Sequence, residues 1–223
     1  MKVVVTEYYE DGTVKCKIPY INGVKHGVSK DYYEIGKLMC ETPFENNKIH
    51  GVAIGYHLNG RIMRETPYKN GKKHGIEKIY DIDGNIEHET SYKNGIKHGM
   101  ERWYYESGET LATIHFNYGI KDWYEIEYYR NGVEKSIIPF SKNVKSGFAV
   151  WQREDGTELK TVEYYGGYRN GYTRWYHENG QVATLEYYVN DELHGLRKEF
   201  NEKGELISKE LFICGELIRS VEF

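Results

Sequence analysis

Of the 24 glycines in this chain, 22 fall at three phases of one 24-residue period. A fixed period of that size marks a tandem array in which no copy buries its apolar face alone, so the chain has to be read as copies of one small unit packed on its neighbours. The most regular phase is Gly12, Gly36, Gly60, Gly84, Gly108, Gly132, Gly156, Gly180 and Gly204, with no insertion or deletion between them. A second phase holds Gly27, Gly51, Gly75, Gly99, Gly147, Gly171 and Gly195, and a third Gly23, Gly71, Gly95, Gly119, Gly167 and Gly215. Two aromatic columns keep the same step. One runs from Tyr8 through Tyr32, Tyr56, Tyr80, Tyr104, Tyr128 and Tyr176 to Phe200, broken at Gln152; the other runs from Tyr20 through Phe44, Tyr68, Tyr92, Phe116, Phe140, Tyr164 and Tyr188 to Phe212.

Each copy reads as a hairpin. Asp11-Gly12, Asn59-Gly60, Asp83-Gly84, Asn131-Gly132, Asp155-Gly156 and Asn179-Gly180 separate apolar runs, and Asx-Gly between such runs is the strongest short-range hairpin signal. A three-residue loop ending in a left-handed glycine places both aromatic columns on one face, together with Val4, Val28, Val52, Ile76, Met100, Tyr124, Phe148, Tyr172 and Leu196, because strand side chains alternate with period two. No run of helical periodicity is long enough to make a helix. The expected fold is all-β: tandem 24-residue β-hairpin repeats forming an elongated, twisted antiparallel meander sheet, a single array of about nine copies over residues 1–223 with a short C-terminal extension. Two strands per copy give roughly 18 strands.

Tyrosine reconciles an apolar content of 39% with a mean hydropathy of −0.74. The 22 tyrosines supply ring area to bury while keeping a hydroxyl that reaches water, which suits a one-layer sheet. A net charge of −4 and a pI near 6.2 lack the basic balance that nucleic acid and anionic membranes select, so no nucleic-acid partner is expected. Met1 leads into the first copy through Val3, Val4 and Val5 without room for a signal peptide, and the apolar runs are too short to span a bilayer; the expected location is cytoplasmic. Cys16 and Cys40 share a phase, so they sit two strands apart, about 10 Å, too far for a disulfide. Cys214 is a lone thiol near the C-terminus.

The chemistry-bearing side chains point to structural roles. His26, His50, His74, His98 and His194 share one phase, and residues two strands apart cannot close on one metal ion, so these rings are expected to bond turn backbone or pack on neighbouring rings. His57, His88, His115 and His177 show no ligand spacing. Glu34, Glu106, Glu154, Glu178 and Glu202 precede the turns and read as a solvated rim. The chain has no G-x-S-x-G, P-loop or paired C-x-x-C, and neither a catalytic residue nor a cofactor is expected.

Tryptophan is the feature the repeat explains least. Trp103, Trp151 and Trp175 share a phase of opposite parity to the tyrosine columns, which the expected register places on the other face, across from Leu111, Leu159 and Ala183. Trp123 stands in a degenerate turn between them. Trp103, Trp123, Trp151, Trp175, Leu111 and Leu159 form the candidate partner-binding set, because Trp and Tyr dominate interface hot spots. The alternative is a second packing layer supplied by the segment from Leu211 to Phe223.

The string Asn70-Gly71-Lys72-Lys73-His74-Gly75 with Tyr80, Gly84 and Tyr92, repeated at Asn94-Gly95-Ile96-Lys97-His98-Gly99 with Tyr104, Tyr105 and Gly108, resembles the bacterial variant of the MORN repeat. The pattern departs at Asp122-Trp123, Ser146-Gly147 and Asn170-Gly171. Proteins made only of this variant include the YwqK-family antitoxins. The resemblance implies a non-enzymatic scaffold that binds another protein, with neutralisation of a protein toxin as the leading role. The alternative it implies is an adaptor at a membrane surface, contacting lipid, or at a cytoskeletal assembly.

Overall fold

The computed structural model describes all 223 residues and is entirely β, with 24 strands in an antiparallel meander. The chain falls into two compact units. The first comprises Met1–Glu109 with Phe116–Gly119, and the second Thr110–His115 with Ile120–Phe223. The strands outnumber the roughly 18 expected from two per copy. Five of them are two-residue stubs that resume after one unpaired residue, as Val24–Lys25 resumes at Gly27–Tyr32 and Val144–Lys145 at Gly147–Gln152.

Two turn types alternate, and each follows from its residues. In the first, the Tyr9 amide donates to the Thr13 carbonyl at 2.8 Å and the Gly12 amide to the Tyr9 carbonyl at 3.0 Å, a three-residue loop closed by glycine at φ +85°. Asp11 accepts from the Thr13 amide and hydroxyl, which fixes the loop. In the second, Asn22 and Gly23 both have positive φ, 51° and 79°, the two-residue hairpin geometry that Asn-Gly favours.

The interrupted strands explain the second glycine phase. The His74 amide donates to the Pro67 carbonyl at 2.9 Å, and Gly75 follows at φ +112°. A Cβ on Gly75 would lie 3.1 Å from Pro67 Cγ, so the position excludes side chains by conformation and by space. All four prolines, Pro19, Pro43, Pro67 and Pro139, occupy this one repeat position and face the next copy's glycine.

One extra residue per copy overturns the expected facing of the columns. Asp31 pairs with Cys40 but Tyr32 with Leu38, so Met39 is a bulge; the same shift separates Trp151–Lys160 from Gln152–Glu158, leaving Leu159 unpaired. A one-residue slip transfers every later side chain to the opposite face. Val28, Lys30 and Tyr32 therefore lie on one face with Pro43 and Glu41, while Ser29 and Asp31 lie on the other with Phe44, Thr42 and Cys40. The two aromatic columns sit on opposite faces, and Trp103, Trp151 and Trp175 share a face with the Tyr20–Phe212 column. The segment after Leu211 is no covering layer either: Leu206–Ile213 and Glu216–Glu222 form a hairpin that continues the meander, with Ser208 opposite Glu222.

One face is exposed and the other thinly buried. In the first unit the buried residues are Cys16, Ser29, Gly55, Thr66, Glu77, Thr90 and Glu101; in the second they are Ser136, Ala149, Val162, Gly171 and Thr173. This is a polar core with no large side chain fully buried. Cation–π contacts roof it, including Lys73 over Tyr92 at 4.7 Å in the first unit and Lys121 over Phe140 at 4.3 Å in the second. Successive copies are also tied edgewise. Tyr9 Oη donates to the Tyr32 carbonyl at 2.6 Å and Tyr33 Oη to the Tyr56 carbonyl at 2.9 Å; in the second unit Tyr129 Oη reaches the Gln152 carbonyl at 2.9 Å. His57 and His177 make the same bond to Tyr80 and Phe200.

Candidate functional site

Each unit has an exposed face, and the two faces differ in character. In the first, Val28 lies across from Pro43 and Val52 across from Pro67, a row of small aliphatic pairs. Beside it run ion pairs: Lys30 Nζ is 2.8 Å from Glu41, which also accepts from Tyr56 Oη, and Lys78 Nζ is 3.7 Å from Glu89. In the second unit the repeat position of Lys30 and Lys78 holds Ile126 across from Ile137, Val150 across from Thr161 and Arg174 across from Leu185. None of these three pairs is charged on both strands. The aliphatic row becomes Tyr124 across from Pro139, Phe148 across from Glu163 and Tyr172 across from Tyr187.

Arg174 keeps a charge and reaches diagonally to Glu163 at 3.6 Å, but at Ile126–Ile137 and Val150–Thr161 charge is gone from both strands. The register places Tyr124, Ile126, Ile137, Pro139, Phe148, Val150 and Tyr172 on one face, since Ile137 pairs with Val150. Phe148 is 63% exposed and Tyr124 51%. Tyr124 and Phe148 stand two strands apart with Pro139 on the strand between, so their exposed rings share an apolar patch, while Glu163 on the next strand lies between Phe148 and Tyr172.

Trp123 adds to this surface by an unusual route. It occupies the repeat position of Gly27 and Gly75, and it keeps their left-handed backbone, φ +77°. Its ring stacks on His115, centroids 4.5 Å apart and planes 8° from parallel, and it remains 64% exposed. His115 stands where Pro19 and Pro67 stand in their copies, and its Nδ1 is buried without a hydrogen-bond partner. A bulky residue in this backbone region is strained by about 1–3 kcal/mol.

The remaining tryptophans lie on the buried face. In the first unit Trp103 pairs with His88 and stacks on it at 3.8 Å. His88 Nε2 contacts both Glu101 Oε1, at 2.8 Å, and Thr90 Oγ1, at 3.1 Å. Both contacts use one ring nitrogen, so this group does not make the relay in which a base is oriented through its second nitrogen. Burial pushes the Glu101 carboxyl up, but Lys97 and His88 outweigh it and hold the group below its usual range. Burial acts on Glu77 in the same direction, and there Lys73 and Thr66 outweigh it.

In the second unit Trp151 and Trp175 pair with Lys160 from either side, not with Leu159 and Ala183. Lys160 Nζ lies 4.3 Å from one ring centroid and 4.7 Å from the other. Leu111 holds the repeat position of the bulged Leu159, and both stand apart from this sandwich in register. The phased histidines behave as turn residues: the His98 ring packs tilted against Tyr118, centroids 4.3 Å apart, and its Nδ1 accepts the Tyr118 amide, and His194 Nδ1 accepts the Cys214 amide. Glu34, Glu106, Glu154, Glu178 and Glu202 are exposed. Cys16 and Cys40 both pair with Asp31, one from each side, and neither is in a disulfide. Burial, then Asp31, pushes the Cys40 thiol up to about 11.

A family model described as "MORN repeat variant" matches residues 3–22, 25–46, 49–70, 73–94, 97–118, 169–190 and 193–213, more than half of the chain. No curated protein matches. Among solved structures, "Crystal Structure of TcdB2-TccC3-TEV" is similar at 11% identity, with 95% of this chain and 14% of that chain covered and a TM-score of 0.22. A likeness at that level carries no argument about this chain.

Proposed function

The chain belongs to the MORN repeat variant family, and from that premise we propose that it is a non-enzymatic scaffold that binds another protein through the second unit's exposed face. The observation that carries this reading is the row of Tyr124, Phe148 and Tyr172, with Trp123 beside it. The row puts aromatic anchors where the first unit has small aliphatic pairs, and the flanking ion pairs have become Ile126–Ile137 and Val150–Thr161. Removing charge while adding exposed rings is what an interface core requires. The family match omits 119–168, where most of these substitutions fall.

The finer reading is that the partner is a protein toxin and that the chain neutralises it in the cytoplasm by occluding its surface. Support for it lies in the family and in the large rigid rings available for contact, which suit occlusion and not turnover. The test is co-expression with the product of the adjacent gene. A neighbour that arrests growth alone, and is harmless and co-purifies with this chain, supports the reading; a harmless neighbour that fails to bind contradicts it. Recovery of phospholipid in place of protein would favour a membrane adaptor.

A further inference from the structure

On the buried face of the second unit, Lys160 is a cation without a counter-ion. No carboxylate lies within 4.0 Å of its ammonium, whereas other cations of this unit, Lys121 and Arg169, are paired with Glu125 and Asp191. The walls of the site are the indoles of Trp151 and Trp175, on the strands to either side. Ala149 and Val162, both buried, occupy the next row with Thr173. Thr173 is the diagonal neighbour of Lys160 on the same face, 4% exposed, and its hydroxyl has no hydrogen-bond partner. Lys145 nearby rests on the Tyr164 ring, with no carboxylate within 4.0 Å of its ammonium.

We propose that Lys160, held between Trp151 and Trp175, receives a carboxylate from an acidic segment of a partner protein. Two indole walls lower the local dielectric, so an ion pair made between them is stronger than one on an open surface. The site also supplies both components of a hot spot, aromatic rings and a charge to be matched. An anionic bilayer fits less well, because the chain as a whole carries a net charge of −4 and one recessed lysine offers it little. The isolated charge has a cost in the unbound chain: burial, then Arg169 and Lys145, lowers the Lys160 pKa. A partner carboxylate relieves that cost on binding.

The proposal goes beyond the docking row, which lies on the opposite face. Its test is a titration of the full chain with the acetylated, amidated peptide Gly-Glu-Glu-Gly, read by the indole N–H resonances in nuclear magnetic resonance. The resonances of Trp151 and Trp175 should shift saturably and those of Trp103 and Trp123 should not. Lys160→Met should weaken the response at least tenfold, and Lys160→Arg should retain it. Equal shifts with the glutamine version of the peptide, an unchanged response in Lys160→Met, or no response at all would overturn the proposal. Shifts produced by phosphatidylserine vesicles and not by the peptide would replace it with a membrane contact. A Tyr124→Ala/Phe148→Ala variant should leave the titration unaltered, so failure here is distinguishable from failure of the docking row.

Discussion

Trp123 is the residue at which folding and binding pull in opposite directions. Every other copy with a glycine at this position avoids the strain that Trp123 accepts at φ +77°. Its stack on His115 returns about 0.5–1.5 kcal/mol, which offsets only part of that strain. Trp123→Gly should therefore raise the free energy of unfolding by up to about 1 kcal/mol while weakening partner binding. Urea denaturation would check the first half. A loss of stability beyond about 1 kcal/mol would show that the ring is structural. The sequence marked Trp123 by its place in a broken turn motif, but its conformation was legible only through the repeat, which predicts positive φ wherever Gly27 and Gly75 have their counterparts.

At the level of the strand, the turns were legible and the facing was not. Asp11-Gly12 and Asn22-Gly23 specify their loops by local chemistry, and those loops are as their residues require. The bulge has no such signature: Met39, Leu159 and their equivalents Lys15 and Glu87 share no property, and the slip they introduce puts Trp103, Trp151 and Trp175 on the same face as the Tyr20 column. The buried carboxylates were invisible for a related reason, since Glu77 and Glu101 read like any strand glutamate until Lys73 and Lys97 are brought alongside. Their folded pKa values lie below the unfolded value of about 4.3. The stability they contribute is thus fully present above about pH 4.3 and is lost as pH falls through the folded values. Glu101→Gln should cost roughly 1–2 kcal/mol at pH 7, and the difference from wild type should shrink on acidification. A gap that stays constant down to about pH 3 in thermal melts would contradict this.

For the molecule as a whole, the array was legible because one unit recurs without a gap, and the family match agrees with it over seven segments. The partner surface was less so. Sequence singled out the tryptophans, whereas the exposed face of the second unit is built chiefly from Tyr124, Phe148 and Tyr172, which continue a column that is aliphatic in Val4, Val28 and Val52. That shift in one column, on one unit, is the basis for assigning binding there. The most direct measurement is the partner's Kd for two paired variants of the full chain. Tyr124→Ala/Phe148→Ala should weaken binding about 30-fold or more, the loss of about 2 kcal/mol expected when hot spots are removed, while Val28→Ala/Val52→Ala should stay within about threefold. Equal losses in the two variants, or a larger loss from the valine pair, would contradict the account.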